Sequence, residues 1–89
     1  MPYDFGAGGY MDLGMTLYGL MLAAQAKGLS TCAIGAMASY PSVIRHHVGL
    51  DAETKVVCGM ALGYADPDAP VNQTRTTRST LDDYFKVIG

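Results

Sequence analysis

Charge is scarce in this sequence, and no stretch concentrates it. Charged residues make up 16% of the 89 residues, hydrophobic residues make up 49%, and the formal net charge is −2. The few basic residues are scattered, so the chain lacks the basic surface that nucleic-acid binding requires. The length allows one domain at most. Because so small a domain buries only about 60% of its unfolded surface, this apolar composition predicts an obligate oligomer or a part of a larger assembly.

Cysteine is also rare. Cys32 and Cys58 are the only two, and each lies among apolar residues. This predicts two buried thiols in a reducing cytoplasm rather than a disulfide or a metal site. His46 and His47 are adjacent, so on a helix they point in different directions and form neither a metal site nor a catalytic spacing. The sequence also lacks an acid–base pair or a nucleophile, and we predict no catalytic side chain and no metal.

A run long enough to span a membrane is missing as well. The apolar run 13–26 has 14 residues, whereas a spanning helix needs about 20. No basic cluster precedes this run, as it would in a signal peptide. The sequence therefore predicts a cytoplasmic protein that contacts no membrane, with a helix buried in protein.

That helix is predicted over Met11–Lys27, with Asp12 as its N-cap and Gly28 just past its end. It carries two apolar stripes, Leu13, Leu17, Leu20 and Ala24 on one side and Met11, Met15, Tyr18 and Leu22 on another. A helix that is apolar nearly all round needs cover on every side. The small residues Gly19 and Ala23 allow another backbone to come close. Either the chain itself or a second copy could provide this cover. Because the chain is small, a second copy is at least as well supported as a contact within the chain.

A strand–helix–strand unit follows the long helix. Leu29–Ile34 is typical of a strand, Pro41–Val48 of a helix that Gly49 ends, and Val56–Tyr64 of a strand buried on both faces. We expect the two strands to be parallel, with the helix as the crossover. Gly59 and Gly63 indicate close packing or a bulge.

The small residues Gly35, Ala36 and Ala38 come directly after the first predicted strand. They could let a flat ligand approach the backbone, or they could form an ordinary turn between strand and helix. The sequence leaves these two alternatives about level.

The chain divides into a flexible N-terminal segment over 1–10, a core over 11–64 and a C-terminal arm over 65–89. The arm begins with the proline-rich, non-helical ADPDAPV. Arg75 and Arg78, among several hydroxyl side chains, could grip a phosphate, but a solvated tail is the plainer alternative. The apolar end, Leu81–Ile88, could dock on another subunit, which predicts an arm exchanged between subunits.

Three stretches together resemble a known family. They are DLGMTLYGLMLAAQAKGLSTCAIGA, YPSVIRHHVGL and VVCGMALGYADPDAPVNQTRTTRSTLDDY, in this order. They are similar to the C-terminal part of FMN-dependent nitroreductases, nearest to the nitrobenzoate and nitrobenzene reductase branch. The resemblance implies a partial α+β nitroreductase-like fold, in which the long helix lies at the heart of a homodimer and the C-terminal arm crosses to the partner.

The resemblance also implies a cofactor and a reaction. FMN would lie at the dimer interface, with the backbone of Ile34, Gly35 and Ala36 facing the flavin ring and Arg78, with Arg75, on the phosphate. Hydride would pass from NAD(P)H through FMN to a nitroaromatic or quinone-like acceptor, so the cofactor carries the chemistry. Family members are longer at the N-terminal side, and we therefore expect an incomplete FMN site in this chain. The alternative is a non-enzymatic, truncated dimer or oligomer without flavin.

Overall fold

The computed structural model describes all of residues 1–89. Its elements are α1 (Gly6–Ala26), β1 (Ser30–Ile34), α2 (Pro41–Val48), β2 (Gly59–Gly63) and α3 (Leu81–Tyr84). Short 3-10 helices lie over Tyr3–Phe5, Gly35–Ser39 and Pro70–Gln73. The fold is α+β and is dominated by one long helix, which confirms the predicted class.

α1 begins at Gly6, whereas the sequence predicted a start at Met11 after the leading segment 1–10. Asp12 is therefore not an N-cap. It lies inside the helix, and its carbonyl oxygen accepts a hydrogen bond from Thr16 Oγ1 at 2.9 Å. The glycines of the first turns disfavour a helix by local propensity, but Gly9 packs directly against the Phe5 side chain, whose Cγ would lie 3.1 Å from an added Cβ. The helix thus extends further towards its N-terminus than local propensity indicates, with a local contact between Phe5 and Gly9 in its first turn.

The end of α1 agrees with the prediction. Gly28 has φ +79°, the left-handed conformation in which glycine is favoured after a helix. Its N–H donates to the carbonyl of Gln25 at 3.0 Å, and the N–H of Leu29 donates to that of Ala24 at 2.9 Å. These bonds use helix-end carbonyls that otherwise have no partner.

Only one side of α1 is covered by the rest of the chain. The buried or half-buried residues are Gly9, Leu13, Leu17, Met21 and Ala24. The predicted stripe contained Leu20, which is exposed, in place of Met21, and it did not include Gly9. Met11, Met15, Tyr18 and Leu22 are each more than half exposed, and we call these four residues the outer stripe. None of the helices combines the length and hydropathy needed to cross a membrane.

β1 and β2 pair antiparallel, with Ser30 opposite Gly63 and Ile34 opposite Gly59. The prediction of parallel strands was wrong. The chain leaves β1 at Ile34 and returns to the same end of the strand, where Gly59 starts β2. The connection is therefore not a crossover. β2 is also shorter than predicted, since Val56–Cys58 remains unpaired where the chain opposite has entered the 3-10 helix Gly35–Ser39.

The chain has almost no interior. Gly9 and Ala24 are the only buried residues. The accessible surface is 7453 Å², whereas a folded monomer of 9.4 kDa exposes about 5,000 Å². The radius of gyration is 16.8 Å, against about 12 Å for a compact domain of this length. With so little cover, Cys32 is exposed and Cys58 half-buried, so the expectation of buried thiols was wrong. β2 likewise is not buried on both faces.

The first residues are paired with the segment that precedes β2. The N–H of Lys55 donates to the Met1 carbonyl at 2.6 Å, and the Met1 amino group donates to the Lys55 carbonyl at 3.0 Å. Pro2 and Thr54 form an isolated antiparallel bridge next to this pair. We call this pairing of residues 1–2 with residues 54–55 the N-terminal clamp.

Two cations and two tyrosines surround the N-terminal clamp. Arg45 Nε donates to the Thr54 carbonyl at 2.9 Å, and its Nη2 donates to the Tyr3 hydroxyl. Lys55 Nζ lies 4.9 Å from the ring centroid of Tyr10 and 5.8 Å from that of Tyr3. These distances are within the range of cation–π attraction. The cluster therefore joins α2, the start of α1 and the segment before β2.

Arg45→Ala is expected to loosen the N-terminal clamp. The change removes a hydrogen bond from a charged donor and a cation near an aromatic ring, together worth about 1.5 kcal/mol at a half-buried position. The Lys55 amide should then exchange with solvent roughly tenfold faster, as hydrogen-exchange mass spectrometry can measure. His46→Ala, on an exposed neighbouring position of α2, is the matched control. Equal exchange in both variants would contradict the role of Arg45.

Candidate functional site

The turn after β1 is open to solvent. Ile34 ends the strand, and Gly35 begins a 3-10 helix that runs to Ser39. A Cβ added to Gly35 would meet no atom within 4 Å. The sequence left open whether this stretch is a ligand-facing backbone or a plain turn, and the structure shows a turn whose backbone a flat molecule can approach.

A methionine anchors this turn on the sheet. The side chain of Met37 lies against Gly59, the residue paired with Ile34. A Cβ added to Gly59 would overlap Met37 Sδ and lie 3.2 Å from its Cγ. Close packing at Gly59 is thus confirmed, whereas Gly63 has open space around it.

Gly59→Ala is expected to displace Met37 and, with it, the turn that contains Gly35. A flexible methionine can move aside, so we expect a modest loss of about 1 kcal/mol in stability, as for other overpacked positions. Thermal unfolding monitored by circular dichroism would measure it. Met37→Ala should remove the overlap, so the double variant should lose less stability than the sum of the two single variants. Simple additivity would show that the two residues do not contact each other.

Within one chain, the arm arginines form hydrogen bonds only to residues of the arm. Arg75 Nη1 donates to the carbonyls of Asn72 at 3.2 Å and Thr74 at 3.0 Å. Arg78 Nη1 donates to the Thr77 carbonyl at 3.2 Å and to the Thr76 hydroxyl. No hydrogen bond connects either guanidinium to residues 34–36. Ile34, Gly35 and Ala36 are consecutive in the chain, and the structure does not join Arg75 and Arg78, which are both exposed, to them by a hydrogen bond.

The arm itself has more local structure than the sequence reading expected. Its first part holds a 3-10 helix over Pro70–Gln73, and Asn72 Nδ2 donates to the Asp66 carbonyl at 2.8 Å. At its end, Thr80 and Asp83 form a capping box that starts α3. Sequence reasoning missed α3, although a threonine followed three residues later by an acidic residue is a recognisable start signal.

A second feature that the sequence reading missed is a groove of about 450 Å³. Its apolar walls include Leu13 and Leu17 of α1, Ile44 and Val48 of α2, Met37, and Val57 before β2. We call it the apolar groove. The half-apolar face of α2 was visible in the sequence, but its position opposite α1 was not. His46 and His47 are exposed on α2, and no cluster of His, Cys, Asp or Glu in the chain could hold a metal ion.

The long helix and the antiparallel strand pair make this an α+β chain. Its candidate site is the open turn at the end of β1, and its C-terminal arm carries two arginines. Residues 3–64 match the family model of the nitroreductase family. The chain belongs to the nitroreductase family.

Relatives of known activity agree with the branch that the sequence suggested. A 4-nitrobenzoate reductase of Pseudomonas putida is 40% identical over 80 residues, which are 90% of this chain and 35% of that protein. A chloronitrobenzene nitroreductase of Comamonas testosteroni is 38% identical over 75 residues, 84% of this chain and 33% of that protein. The chain thus spans about a third of the length of these relatives.

Solved structures show the same relation in three dimensions. The FMN- and NADPH-dependent nitroreductase NfnB of sphigopyxis sp. strain HMH superposes with a TM-score of 0.94 at 32% identity, over 99% of this chain and 40% of that one. NfnB of Mycobacterium smegmatis, solved in complex with NADPH, gives 0.93 at 30% identity, over 99% and 39%. The nitroreductase-like fold, partial in extent, is confirmed.

Proposed function

We propose that this chain forms part of an FMN-dependent oxidoreductase that transfers hydride from NAD(P)H to a nitroaromatic or quinone-like acceptor. The superposition of 99% of the chain on FMN- and NADPH-dependent nitroreductases, with a TM-score of 0.94, carries this proposal. The names of the relatives, which act on 4-nitrobenzoate and chloronitrobenzene, support a small aromatic acceptor.

The residues of the turn fit a flavin. Gly35 has no side chain and faces open space, so the edge of a planar ring can come within hydrogen-bond distance of its backbone. Ile34 and Ala36 would place apolar surface beside the ring and exclude water from it. FMN, when bound, accepts and donates the hydride, and the protein holds it in place. This division of labour agrees with the absence of an acid–base pair in the sequence.

Arg75 and Arg78 would hold the FMN phosphate. Their guanidinium groups are exposed, and their hydrogen bonds to carbonyls of the same arm leave further N–H donors available. A guanidinium binds phosphate through two parallel hydrogen bonds. Since the hydrogen bonds of both arginines go to their own arm and none goes to the turn, we propose that the arm reaches a site completed by another subunit.

A second copy of the chain would cover α1. The outer stripe repeats at intervals of four, three and four residues, which places its side chains on one face of the helix. Such spacing is typical of helices that pack against a partner helix. We therefore propose a homodimer. The two free cysteines of each chain are compatible with a cytoplasmic protein.

The test is a titration of the purified chain with FMN, followed by flavin fluorescence and absorbance. Binding should quench the fluorescence, and NADPH should then bleach the bound flavin. A chain that stays colourless and leaves the fluorescence unchanged would contradict the proposal for this chain.

A second candidate is a dimer or oligomer of the nitroreductase fold that binds no flavin. The hydrogen bonds of Arg75 and Arg78, which all go to their own arm, favour it, as does the span of about a third of the relatives. It predicts a stable oligomer in light scattering together with a negative FMN titration. A monomer would exclude it.

A further inference from the structure

The first part of the C-terminal arm is a turn that two side-chain amides close. Asn72 Nδ2 donates to the Asp66 carbonyl at 2.8 Å, and Gln73 Nε2 donates to the Pro67 carbonyl at 2.7 Å. Both amides thus reach back over six residues. We call residues 66–75 the arm turn.

Hydrogen bonds, and not apolar packing, hold the arm turn together. Val71 is 75% exposed, and Ala69 is the only residue of the arm turn that is even half-buried. An exposed segment with so little apolar cover keeps one conformation only through its local hydrogen bonds. Asn72 forms two of them, because its backbone N–H also donates to the Ala69 carbonyl at 3.0 Å. Asn72 is therefore the residue on which the shape of the arm turn depends most.

The carbonyl of Asn72 holds the guanidinium of Arg75. Arg75 Nη1 donates to this carbonyl at 3.2 Å and to the Thr74 carbonyl at 3.0 Å, and these are the hydrogen bonds that the guanidinium forms. Nε and Nη2 therefore keep their donors free. They lie on the same edge of the planar group, and from that edge two parallel hydrogen bonds can be donated to one oxyanion. The arm turn thus fixes one side of the guanidinium and leaves the opposite edge available.

Arg78 follows the same pattern through different residues. Its Nη1 donates to the Thr77 carbonyl at 3.2 Å and to the Thr76 hydroxyl, and its Nε and Nη2 are likewise free. The acceptors of both arginines are neutral, so none of these bonds compensates a positive charge. The carboxylates of Asp66 and Asp83 accept hydrogen bonds from backbone N–H groups instead. Both guanidinium charges are therefore left for an anion from outside the arm.

We infer that Asn72 is a positioning residue, which holds Arg75 in the arm turn with its Nε–Nη2 edge free to bind a phosphate group. Asn72 acts through its carbonyl and its side-chain amide and does not itself bind the phosphate. An arginine that is ordered before binding loses little conformational freedom on binding, whereas ordering such a side chain weakens affinity roughly two- to tenfold. That this phosphate is the one of FMN rests on the proposed function.

The experiment measures the mobility of both guanidinium groups by NMR in the isotope-labelled chain, with Asn72→Ala and Thr76→Ala as matched variants. In Asn72→Ala, the heteronuclear NOE of the Arg75 Nε–H should fall to roughly half, while that of Arg78 stays unchanged. Thr76→Ala should give the reverse, because the Thr76 hydroxyl accepts from Arg78. Arg75 that is equally mobile in the unsubstituted chain, or a loss at both arginines in Asn72→Ala, would overturn the inference.

A titration with inorganic phosphate tests the free edge of Arg75 without any flavin. At constant ionic strength, phosphate should shift the Nε–H signal of Arg75 in the unsubstituted chain. In Asn72→Ala the same shift should need about threefold more phosphate, since the side chain must then be ordered on binding. An Arg75 signal that phosphate does not shift, or equal half-saturation in the two chains, would overturn the inference.

FMN and riboflavin, which lacks the phosphate, separate this inference from the proposed function. Asn72→Ala should weaken FMN binding about threefold and leave riboflavin binding unchanged. Equal weakening for both flavins would indicate a general loss of structure and overturn the inference, and unchanged FMN binding would overturn it while supporting the proposed function. A chain that binds neither flavin would contradict the proposed function, and the Arg75 signals in phosphate would then decide the inference alone.

Discussion

Tyr18→Glu should convert the associated chain into a monomer. Tyr18 is 64% exposed at the middle of the outer stripe, between Met15 and Leu22. In a helix-to-helix interface it would be desolvated, and a carboxylate there would lose hydration without gaining a partner. Because a symmetric dimer contains the position twice, we expect a loss of about 3 kcal/mol, which weakens association roughly a hundredfold. Light scattering over a concentration series would measure it.

Thr16→Glu is the matched control for this change. Thr16 is also exposed on α1, but it lies on a different side of the helix from the outer stripe. The substitution adds the same negative charge as Tyr18→Glu. We expect Thr16→Glu to keep the mass of the unsubstituted chain. If Tyr18→Glu also kept that mass, or if the unsubstituted chain were already a monomer at high concentration, the outer stripe would not be a contact between copies.

Gly35→Val should abolish most FMN binding without disturbing the fold. The added Cβ meets no atom of the chain within 4 Å, and Gly35 does not need a left-handed backbone. The protein therefore has no steric reason of its own to reject a side chain at this position. A flavin ring against the backbone would be pushed away, and we expect at least tenfold weaker binding, about 1.4 kcal/mol, in a fluorescence titration.

Gly63→Val provides the control, because Gly63 also has open space at its Cβ and lies on the neighbouring strand. Its affinity for FMN should match that of the unsubstituted chain, and both variants should keep the same thermal unfolding midpoint. Equal losses of affinity in the two variants would indicate a general effect on the sheet. Unchanged affinity in Gly35→Val would show that the ring does not face this turn.

Local signals predicted the elements whose ends depend on single residues. α2 runs from Pro41 to Val48, as predicted, because proline is favoured in a first turn and Gly49, with φ +77°, is favoured after the last. β1 was one residue shorter than expected. The resemblance named Ile34, Gly35 and Ala36 as site residues, and the small residues after a strand pointed to Gly35 and Ala36 as well. Their contact with FMN, like that of Arg75 and Arg78, stays a prediction.

Features that depend on distant parts of the chain could not be predicted in this way. The apolar groove forms only because α2 lies opposite α1, and the N-terminal clamp joins residues more than fifty positions apart. Neither leaves a periodic pattern in a short window of sequence. The exposure of Cys32 was not predicted for the same reason, since apolar neighbours in the sequence do not ensure that a side chain is buried in the fold.

The sequence by itself determined that α1 is long and apolar on nearly every side, where α2 begins and ends, and to which family the chain belongs, because these properties follow from neighbouring side chains and their order. Only the tertiary structure decided that β1 and β2 are antiparallel, that α1 starts at Gly6, and that the outer stripe and the free edge of β2 lie uncovered. The physical reason is that strand direction and burial depend on how the whole chain returns on itself, and local propensity carries no information about that path.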